Sequence, residues 1–467
     1  MKTDTIAAIA TAMSDSGIGI IRVSGDDAIE IVDKIYRNNK NERILSKYGS
    51  HTIHYGFIVG DHETVIDEVM VSVMKAPRSY TMEDTVEINC HGGIFMMREV
   101  LDIVLHAGAR IAEPGEFTKR AFLNGRIDLS KAEAVMDIIQ SKNEFALRSS
   151  VKQLKGSVSD KVKKLRKDIL YEIAFIESAL DDPEHISLEG YNERLTEKTN
   201  NIISELDKLI DSADDGKMLR EGINTVIVGK PNAGKSSLLN LLTGEEKAIV
   251  TDVAGTTRDT LEEVIFLDGI MLNIIDTAGI RNTEDIVEKI GVERARKISL
   301  DADLILYVVD SSVPLDENDE DIIHMIQDKK VIILLNKSDL DEVVSEEYMI
   351  HKINRILDND NIYKIIKTST KEDTGIQILT DLIKEMFFHG KISYNDEVYI
   401  TNMRHKEHIK DARDSMNQVR NSLELDMPED FYSIDLMSAY TSLGMIIGEE
   451  VGDDLVNEIF SKFCVGK

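Results

Sequence analysis

The sequence contains very little cysteine. Only Cys90 and Cys464 occur among its 467 residues, and they lie far apart in the chain. Two such residues cannot form the disulfide framework of a small secreted protein. The scarcity of thiols therefore favours a reducing, cytoplasmic compartment.

Long apolar runs are also lacking. No stretch of the sequence reaches the roughly 18 consecutive apolar residues that indicate a transmembrane helix. The opening residues, MKTDTIAAIATAM, end like a short signal peptide, but Asp4 interrupts the charged-then-apolar order of such a leader. We therefore expect no membrane span and a β-strand near the start of the chain.

An excess of positive charge is absent as well. The formal net charge is −30 and the sequence pI is about 4.8. This sign is opposite to that of a protein that attracts nucleic acid through its overall charge, so any RNA contact must be local or shared with a partner. The length and the 42% apolar content fit two or three globular domains.

The most informative stretch is Val226–Ser237, which reads VIVGKPNAGKSS. A β-branched run ends at Gly229, and Gly234-Lys235-Ser236 opens an apolar helical pattern. This is the spacing of a phosphate-binding loop between a strand and a helix. Backbone amides and the helix dipole would face phosphate oxygens. Lys235 would reach the terminal phosphates, and Ser236 would contact Mg²⁺.

Two further motifs on the phosphate side follow in the order expected for a GTPase. Gly255–Asp259 reads GTTRD and supplies a switch segment with hydroxyl groups. A predicted strand at Leu272–Ile275 leads into Asp276–Gly279, DTAG. Its carboxylate can hold the Mg²⁺ shell, and its glycine amide can meet the γ-phosphate.

The base side of the site is predicted from two later motifs. A strand at Val331–Leu335 precedes Asn336–Asp339, NKSD, and Ser369–Lys371 follow a last strand at Ile362–Lys367. The Asp339 carboxylate can accept the N1–H and the exocyclic amine of guanine, a pair of donors that adenine lacks. The order of all these motifs predicts a GTPase.

The residue that usually orients the attacking water in small GTPases is missing. A glutamine is expected after the D-x-x-G motif, but this position holds Ile280. Another polar side chain must take this role, and no arginine finger is evident, so the charge of the transition state needs another cation. The candidates for orienting water are Arg281, Glu284, Asp285 and Glu288.

The chain divides into four segments. Residues 1–124 have a mixed α/β pattern, residues 125–216 are helical, residues 217–384 form the GTPase domain, and residues 385–467 return to helix. The polar stretch Ser212–Gly222 marks the boundary before the GTPase domain. Helical patterns on both sides predict one helical domain with the GTPase domain inserted, which would couple nucleotide state to helix positions.

Three features leave their roles open at this stage. Asp316–Asp321 lacks the glycine of a calcium loop and is predicted to be a solvated acidic loop. Cys464 is either a catalytic or redox-sensitive thiol on a mobile tail or an inert residue at a fraying end. A basic run is either a solvated helix face or a local RNA-backbone contact; it comprises Lys152, Lys155, Lys161, Lys163, Lys164, Arg166 and Lys167.

Motifs along the whole chain resemble those of the MnmE (TrmE) family of tRNA modification GTPases. The amino-terminal blocks are DTIAAIAT, GIGIIRVSG, SYTMEDTVEINCHGG and PGEFTKRAFLNGRIDLSKAEAVMDII, and the chain ends in FCVGK. The nucleotide motifs alone fit many GTPases. The amino-terminal blocks and the FC-x-GK ending are what single out this family.

The resemblance implies a chemistry for the amino-terminal domain. Family members dimerise through this domain and act with the flavoprotein MnmG (GidA), as a heterotetramer, on C5 of the wobble uridine of certain tRNAs. They install an aminomethyl or carboxymethylaminomethyl group, whose one-carbon unit comes from a 5-formyl or 5,10-methylene form of tetrahydrofolate. By motif match, Arg22, Glu87, Arg126 and Lys467 would bind the folate, and Cys464 would be needed for modification but not for GTP hydrolysis.

The resemblance also implies how GTP is hydrolysed. Two GTPase domains pair across the dimer in the transition state, K⁺ supplies the missing positive charge, and Glu288 orients the water. By motif match, Mg²⁺ would be bound by Ser236 and Thr257, and K⁺ by Asn232, Thr251, Val253 and Thr256. The implied GTP-binding set is Asn232, Ala233, Gly234, Lys235, Ser236, Ser237, Thr251, Asp252, Val253, Ala254, Gly255, Thr256, Thr257, Asp276, Thr277, Ala278, Gly279, Asn336, Lys337, Asp339, Ser369, Thr370 and Lys371.

The predicted fold class is α/β plus all-α. We expect a mostly parallel, doubly wound P-loop sheet inserted into a helical domain and preceded by an α+β folate-binding domain. The leading functional hypothesis is a cytoplasmic, K⁺-dependent GTPase of tRNA modification. The alternative is a GTPase switch for ribosome assembly that performs no modification chemistry.

Overall fold

The structure is a computed structural model of the chain. It describes residues 4–182, 185, 189–244, 263–275, 302–327, 329–356, 363–388 and 400–466. The chain forms two compact units. The first contains Met1–Gln140, Ser150–Ile203 and His408–Lys467, and the second contains Ser141–Ser149 and Ser204–Glu407.

The first unit begins with a sheet of seven described strands. Their order is β3-β4-β5-β6-β2-β1-β7; each neighbouring pair is antiparallel except the parallel β1–β7 pair. The predicted first strand is confirmed as β1. The bounds are β1 Ile6–Ile9, β2 Ser16–Ser24, β3 Tyr36–Arg37, β4 Thr52–Val59, β5 Val65–Met74, β6 Thr85–Gly92 and β7 Arg110–Ile111.

One face of this sheet packs against two helices, α1 (Ala28–Ile35) and α2 (Ile94–His106). Alternation along β5 shows why, because Val69, Val71 and Val73 are buried while their neighbours point to the other face. The open face carries the side chains that the site uses. Short 3₁₀ helices lie at Leu45–Lys47 and Asp61–Glu63.

Helices follow the sheet. Their bounds are α3 Glu116–Leu123, α4 Leu129–Gln140, α5 Glu144–Leu154, α6 Ser157–Asp181 and α7 Tyr191–Glu221. The polar stretch Ser212–Gly222 differs from the interruption that its composition suggests, because it is helical to Glu221. Gly222, with φ +85°, then ends the helix directly before the next strand.

The second unit contains a sheet of six described strands in the order β13-β12-β11-β8-β10-β9. Its neighbours are parallel apart from the β9–β10 hairpin. The bounds are β8 Ile223–Val228, β9 Glu263–Leu267, β10 Ile270–Ile274, β11 Leu304–Asp310, β12 Lys330–Asn336 and β13 Tyr363–Lys367. The helices here are α8 Lys235–Gly244, α9 Glu317–Met325, α10 Glu346–Ile356 and α11 Ile376–Phe388.

The central strands β11 and β12 are almost continuously apolar and buried. This pattern is typical of parallel strands that are covered on both faces. Ile332 and Leu334 contribute to one core layer, and Ile333 and Leu335 contribute to the other. The doubly wound P-loop sheet predicted from the sequence is therefore confirmed.

The chain ends in three helices, α12 (Met403–Glu424), α13 (Glu429–Ile447) and α14 (Asp453–Ser461). In the first unit, α13 packs along α6, and each helix contributes buried apolar residues, such as Ile169 of α6 and Leu443 of α13. The predicted fold class, α/β plus all-α, is confirmed. No helix within the described ranges is long and apolar enough to cross a bilayer.

Candidate functional site

The phosphate-binding loop lies between β8 and α8, as the motif predicts. Gly229 has φ +149°, and a Cβ there would lie 2.3 Å from the carbonyl oxygen of Val308. The Lys235 ammonium donates to the carbonyls of Gly229, at 2.8 Å, and Lys230, at 2.7 Å. Burial lowers the pKa of Lys235 below its ordinary value. The loop thus curls round a cation that can face phosphate oxygens, and Ser236 and Ser237 follow it in the first turn of α8.

Asn336 joins this loop to the base side of the site. Its side chain is only 1% exposed, and its Nδ2 donates to the carbonyl of Ala233 at 2.8 Å. Its Oδ1 accepts from the Thr370 amide at 3.2 Å and from the Thr368 hydroxyl at 3.4 Å. A single buried amide therefore positions the phosphate loop against the loop that follows β13.

Asp339 lies at the base side with its carboxylate held by neighbours. The Ser369 hydroxyl donates to Oδ1 at 2.7 Å, and Lys371 Nζ lies 3.9 Å from Oδ2. The Ser369 hydrogen bond is the main cause of a lowered pKa for the Asp339 carboxyl. An ionised, oriented carboxylate is what recognition of two guanine N–H donors requires. Lys337, with φ +64°, donates to Asp310 and fixes the start of this loop.

One part of the site is missed by the sequence analysis. Asp316–Asp321 is not a solvated acidic loop, because Asp316 caps α9 and Asp319 is 1% exposed. Asp319 accepts from the Tyr307 hydroxyl at 2.8 Å and lies 2.7 Å from Nζ of Lys230, in the phosphate loop. Asp316 also accepts from Lys230, at 3.0 Å. The D-x-x-D spacing before an apolar pattern was a capping signal that could have placed this segment at a helix start.

Several predicted site residues lie outside the described part of the chain. These are the switch residues Thr251–Thr257, the Asp276–Gly279 motif, Ile280 and the candidates Arg281, Glu284, Asp285 and Glu288, as well as Lys467. Of the residues expected to bind Mg²⁺ and K⁺, the structure thus describes Ser236 and Asn232. Asn232 has φ +62° within the phosphate loop.

A second cluster lies on the open face of the amino-terminal sheet. Arg22 and Glu87 face each other across the β2–β6 pair, with Arg22 Nε donating to Glu87 Oε1 at 2.9 Å. Arg126 donates to the Tyr80 carbonyl at 3.0 Å, and its guanidinium lies 4.8 Å from the centre of the Tyr80 ring. The Arg22 guanidinium lies 5.6 Å from the same ring. Arg22, Glu87 and Arg126 are therefore brought together, around an aromatic ring that the sequence analysis did not single out, although it lies in the SYTMED block.

The C-terminal tail completes this cluster. Arg22 Nη1 donates to the Gly466 carbonyl at 3.1 Å, and the Gly115 amide donates to the Cys464 carbonyl at 3.2 Å. Phe463 is buried. The expectation of a mobile tail is therefore wrong, because backbone hydrogen bonds and an apolar anchor hold residues 463–466 against the first unit. The Cys464 side chain remains exposed.

Two family models match the chain. The model described as the GTP-binding protein TrmE N-terminus matches residues 5–126, and the model described as the MnmE helical domain matches residues 129–464.

Curated relatives named tRNA modification GTPase MnmE match over almost the full length. The protein of Lachnoclostridium phytofermentans is 60% identical, and that of Acetivibrio thermocellus 48% identical, each over 100% of both chains. The protein of Alkaliphilus oremlandii is 47% identical over 99% of both chains.

A solved structure of the Arl6 (BBS3) small GTPase from Trypanosoma brucei, with the bound nucleotide analogue GppNp, also matches. It is 14% identical with a TM-score of 0.27, and the match covers 36% of this chain and 99% of that one. At that TM-score the similarity supports no conclusion about this chain.

Proposed function

The chain belongs to the MnmE family of tRNA modification GTPases and is a GTP hydrolase, and we propose that it uses K⁺ and acts in the cytoplasm with the flavoprotein MnmG on the wobble uridine of certain tRNAs. The product is a tRNA that carries an aminomethyl or carboxymethylaminomethyl group at C5 of the uridine at position 34. The observation that carries this proposal is the presence of two separate clusters. One is suited to a guanine nucleotide and the other to a folate.

In the nucleotide cluster, we assign each residue a distinct role. Asp339 accepts from guanine, Lys235 neutralises the terminal phosphates, and Asn336 keeps the two parts of the site together. Ser236 with Thr257 would bind Mg²⁺, and Glu288 would orient the water. Asn232, Thr251, Val253 and Thr256 would bind K⁺, which supplies charge where an arginine finger is lacking.

The residues of the amino-terminal cluster fit a folate. A carboxylate such as Glu87 suits the N–H donors of a pterin, guanidinium groups such as Arg126 suit carboxylates, and the Tyr80 ring suits a flat heterocycle. When bound, the tetrahydrofolate derivative, a 5-formyl or 5,10-methylene form, supplies the one-carbon unit. Arg22 donates to the Gly466 carbonyl of the tail, and we propose that Cys464 and Lys467 act at this cluster.

The open face of the amino-terminal sheet supports dimerisation through this domain. It exposes large apolar side chains on two neighbouring strands, with Ile53 62%, Tyr55 44% and Met70 51% exposed. Exposed apolar side chains grouped in this way are typical of an interaction surface. We propose that a second copy covers this face, that MnmG completes a heterotetramer, and that GTP hydrolysis pairs the GTPase domains and moves the helices.

Analysis of tRNA from living cells tests the modification. Cells lacking this protein should lose the C5-modified wobble nucleoside in mass spectrometry of tRNA digests, and the wild-type gene should restore it. Arg22→Gln should fail to restore it while GTP turnover stays within about twofold, because Arg22 lies in the first unit, where its contacts include Glu87, the Tyr80 and Phe117 rings and the tail. Arg43→Gln, at an arginine whose side chain is 56% exposed, is the matched control. Unchanged wobble nucleosides in the deletion strain would instead favour a ribosome-assembly switch.

Hydrolysis in different salts tests the proposed chemistry. With KCl, wild-type turnover should exceed that in NaCl by at least about tenfold, because loss of one stabilising charge costs that much or more. Glu288→Ala should lower turnover by about 10²- to 10⁴-fold, the range for a lost general base, with GTP affinity retained. Glu284→Ala is the control. Equal rates in both salts, or a parallel loss of binding in Glu288→Ala, would contradict the assignment.

A further inference from the structure

Part of the basic run seen in the sequence forms one exposed face of α6. Lys164, Lys167 and Tyr171 are spaced by three and four residues and are exposed, and Lys163 lies beside them with a side chain that is 51% exposed. Such spacing places side chains on the same side of a helix. We name Lys163, Lys164, Lys167 and Tyr171 the basic face.

The structure separates this face from the rest of the run. Arg166 is buried, pairs with Glu449 and Glu450 and lies with its guanidinium 3.9 Å from the centre of the Tyr440 ring. It therefore holds α6 to α13 and is not available to a ligand. Lys152 and Lys161 are only partly exposed.

Most of the lysine ammonium groups of the basic face form no ion pair within the described part of the chain. Within the ranges that the structure describes, Lys164 and Lys167 form no ion pair. Lys163 Nζ lies 3.8 Å from Asp128 Oδ2. That carboxylate already accepts hydrogen bonds from two serine hydroxyls, each at 2.6 Å. The carboxylates on α6 beside these lysines are Asp160 on the same side and Asp168 at its edge, and within the described residues neither forms an ion pair with Lys164 or Lys167.

An aromatic ring with a fixed cation lies at one end of the basic face. Tyr171 is 56% exposed, and Nζ of Lys198, from α7, lies 5.0 Å from its ring centre. Lys198 is held there because it donates to Glu172 at 2.7 Å, and Glu172 is 1% exposed. A ring next to a row of lysines is the combination by which proteins bind single-stranded RNA, through backbone charge and base stacking.

We propose that the basic face binds the phosphodiester backbone of the tRNA, with Tyr171 stacking on an unpaired base. This inference rests on the proposed function, because it assumes that tRNA is the substrate. RNA is favoured over an acidic protein surface because the face combines exposed lysines, two of them without an ion pair among the described residues, with an exposed ring. The chain as a whole, with a net charge of −30, repels polyanions. A local face of this kind is how such a chain can still engage RNA.

Binding of tRNA to the full-length protein at 50–200 mM KCl tests the proposal. The variant K163Q/K164Q/K167Q should bind a tRNA transcript about tenfold or more weakly at 100 mM salt, and the slope of log affinity against log salt should fall by about 2 to 3. The control K34Q/K40Q/K47Q removes the same charge from exposed lysines of the amino-terminal domain and should match wild type. Tyr171→Ala should weaken binding by roughly tenfold with an unchanged salt slope. GTP turnover should be unaffected in each variant.

Three outcomes would overturn the proposal. The first is that wild type shows no salt-dependent tRNA binding, and the second is that the two triple variants have equal salt slopes. The third is that K163Q/K164Q/K167Q loses binding to vesicles of phosphatidylserine and phosphatidylcholine but binds tRNA as wild type does. Failure of the proposed function is separate, because it appears as unchanged wobble nucleosides in the deletion strain. If those nucleosides depend on the protein but the two triple variants bind tRNA alike, only the basic face is refuted.

Discussion

Gly234→Ala should lower GTP affinity by at least about a hundredfold while the sheet of the second unit remains folded. Gly234 has φ +105°, and an added Cβ would lie 2.1 Å from Nδ2 of Asn336. The left-handed backbone alone costs an L-residue about 1–2 kcal/mol. Displacing the buried Asn336 amide would leave polar groups unpaired, at roughly 1–3 kcal/mol each. Together these effects disrupt the alignment of the phosphate loop with the base side of the site, and GTP binding is weakened.

Gly244→Ala is the matched control for this experiment. Gly244 ends α8, and a Cβ there would meet no described atom within 4 Å. Affinity should be measured by competition with a fluorescent guanine nucleotide, and folding by circular dichroism. Wild-type affinity in Gly234→Ala would show that the loop tolerates the side chain and that the Asn336 contact is not needed.

Asp339→Asn should change which base the protein prefers. The variant should lose GTP affinity by about 100- to 1,000-fold, because two hydrogen bonds to a charged acceptor are worth roughly 1.5–3 kcal/mol each. Xanthine carries a carbonyl where guanine carries the exocyclic amine, so the new amide of the asparagine can donate to it. XTP should therefore bind the variant better than GTP does.

Asp341→Asn tests whether this effect belongs to one carboxylate. Asp341 is exposed two residues further along, so the control makes the same change of charge close to the site. Its GTP preference should be that of wild type. If both variants keep guanine selectivity, the base is recognised by other groups and the assignment of Asp339 is wrong.

The elements with strong local patterns were predictable from the sequence. The buried runs of β11 and β12 and the G-x-x-x-x-G-K-S spacing specify a parallel sheet with a phosphate loop, and the structure contains both. Local chemistry fixes these parts, since β-branched residues form the strands and glycine permits the positive φ of the loop.

Other parts depend on contacts that no local pattern encodes. The polar stretch before Gly222 is the last part of the long helix α7, and Arg166 is buried where two carboxylates just after α13, Glu449 and Glu450, pair with it. Asp319 is likewise buried because Tyr307 and Lys230 bind it from distant positions. Arg166 and Asp319 are thus buried by partners from other elements of the chain.

The hydrogen bond from Arg22 to the Gly466 carbonyl joins residues 444 positions apart. A fragment that stops before Cys464 would therefore form its seven-stranded sheet with one wall of the amino-terminal cluster absent. Such a fragment could fold and still fail to bind its ligand or react with it. Binding assays on isolated domains would then assign the ligand to the wrong part of the chain. Gly466 itself lies so close to the backbone of Ile9 and Ala10 that an added Cβ would be 2.4 Å from the Ile9 carbonyl oxygen, so a larger residue at this position would push the tail away from the sheet.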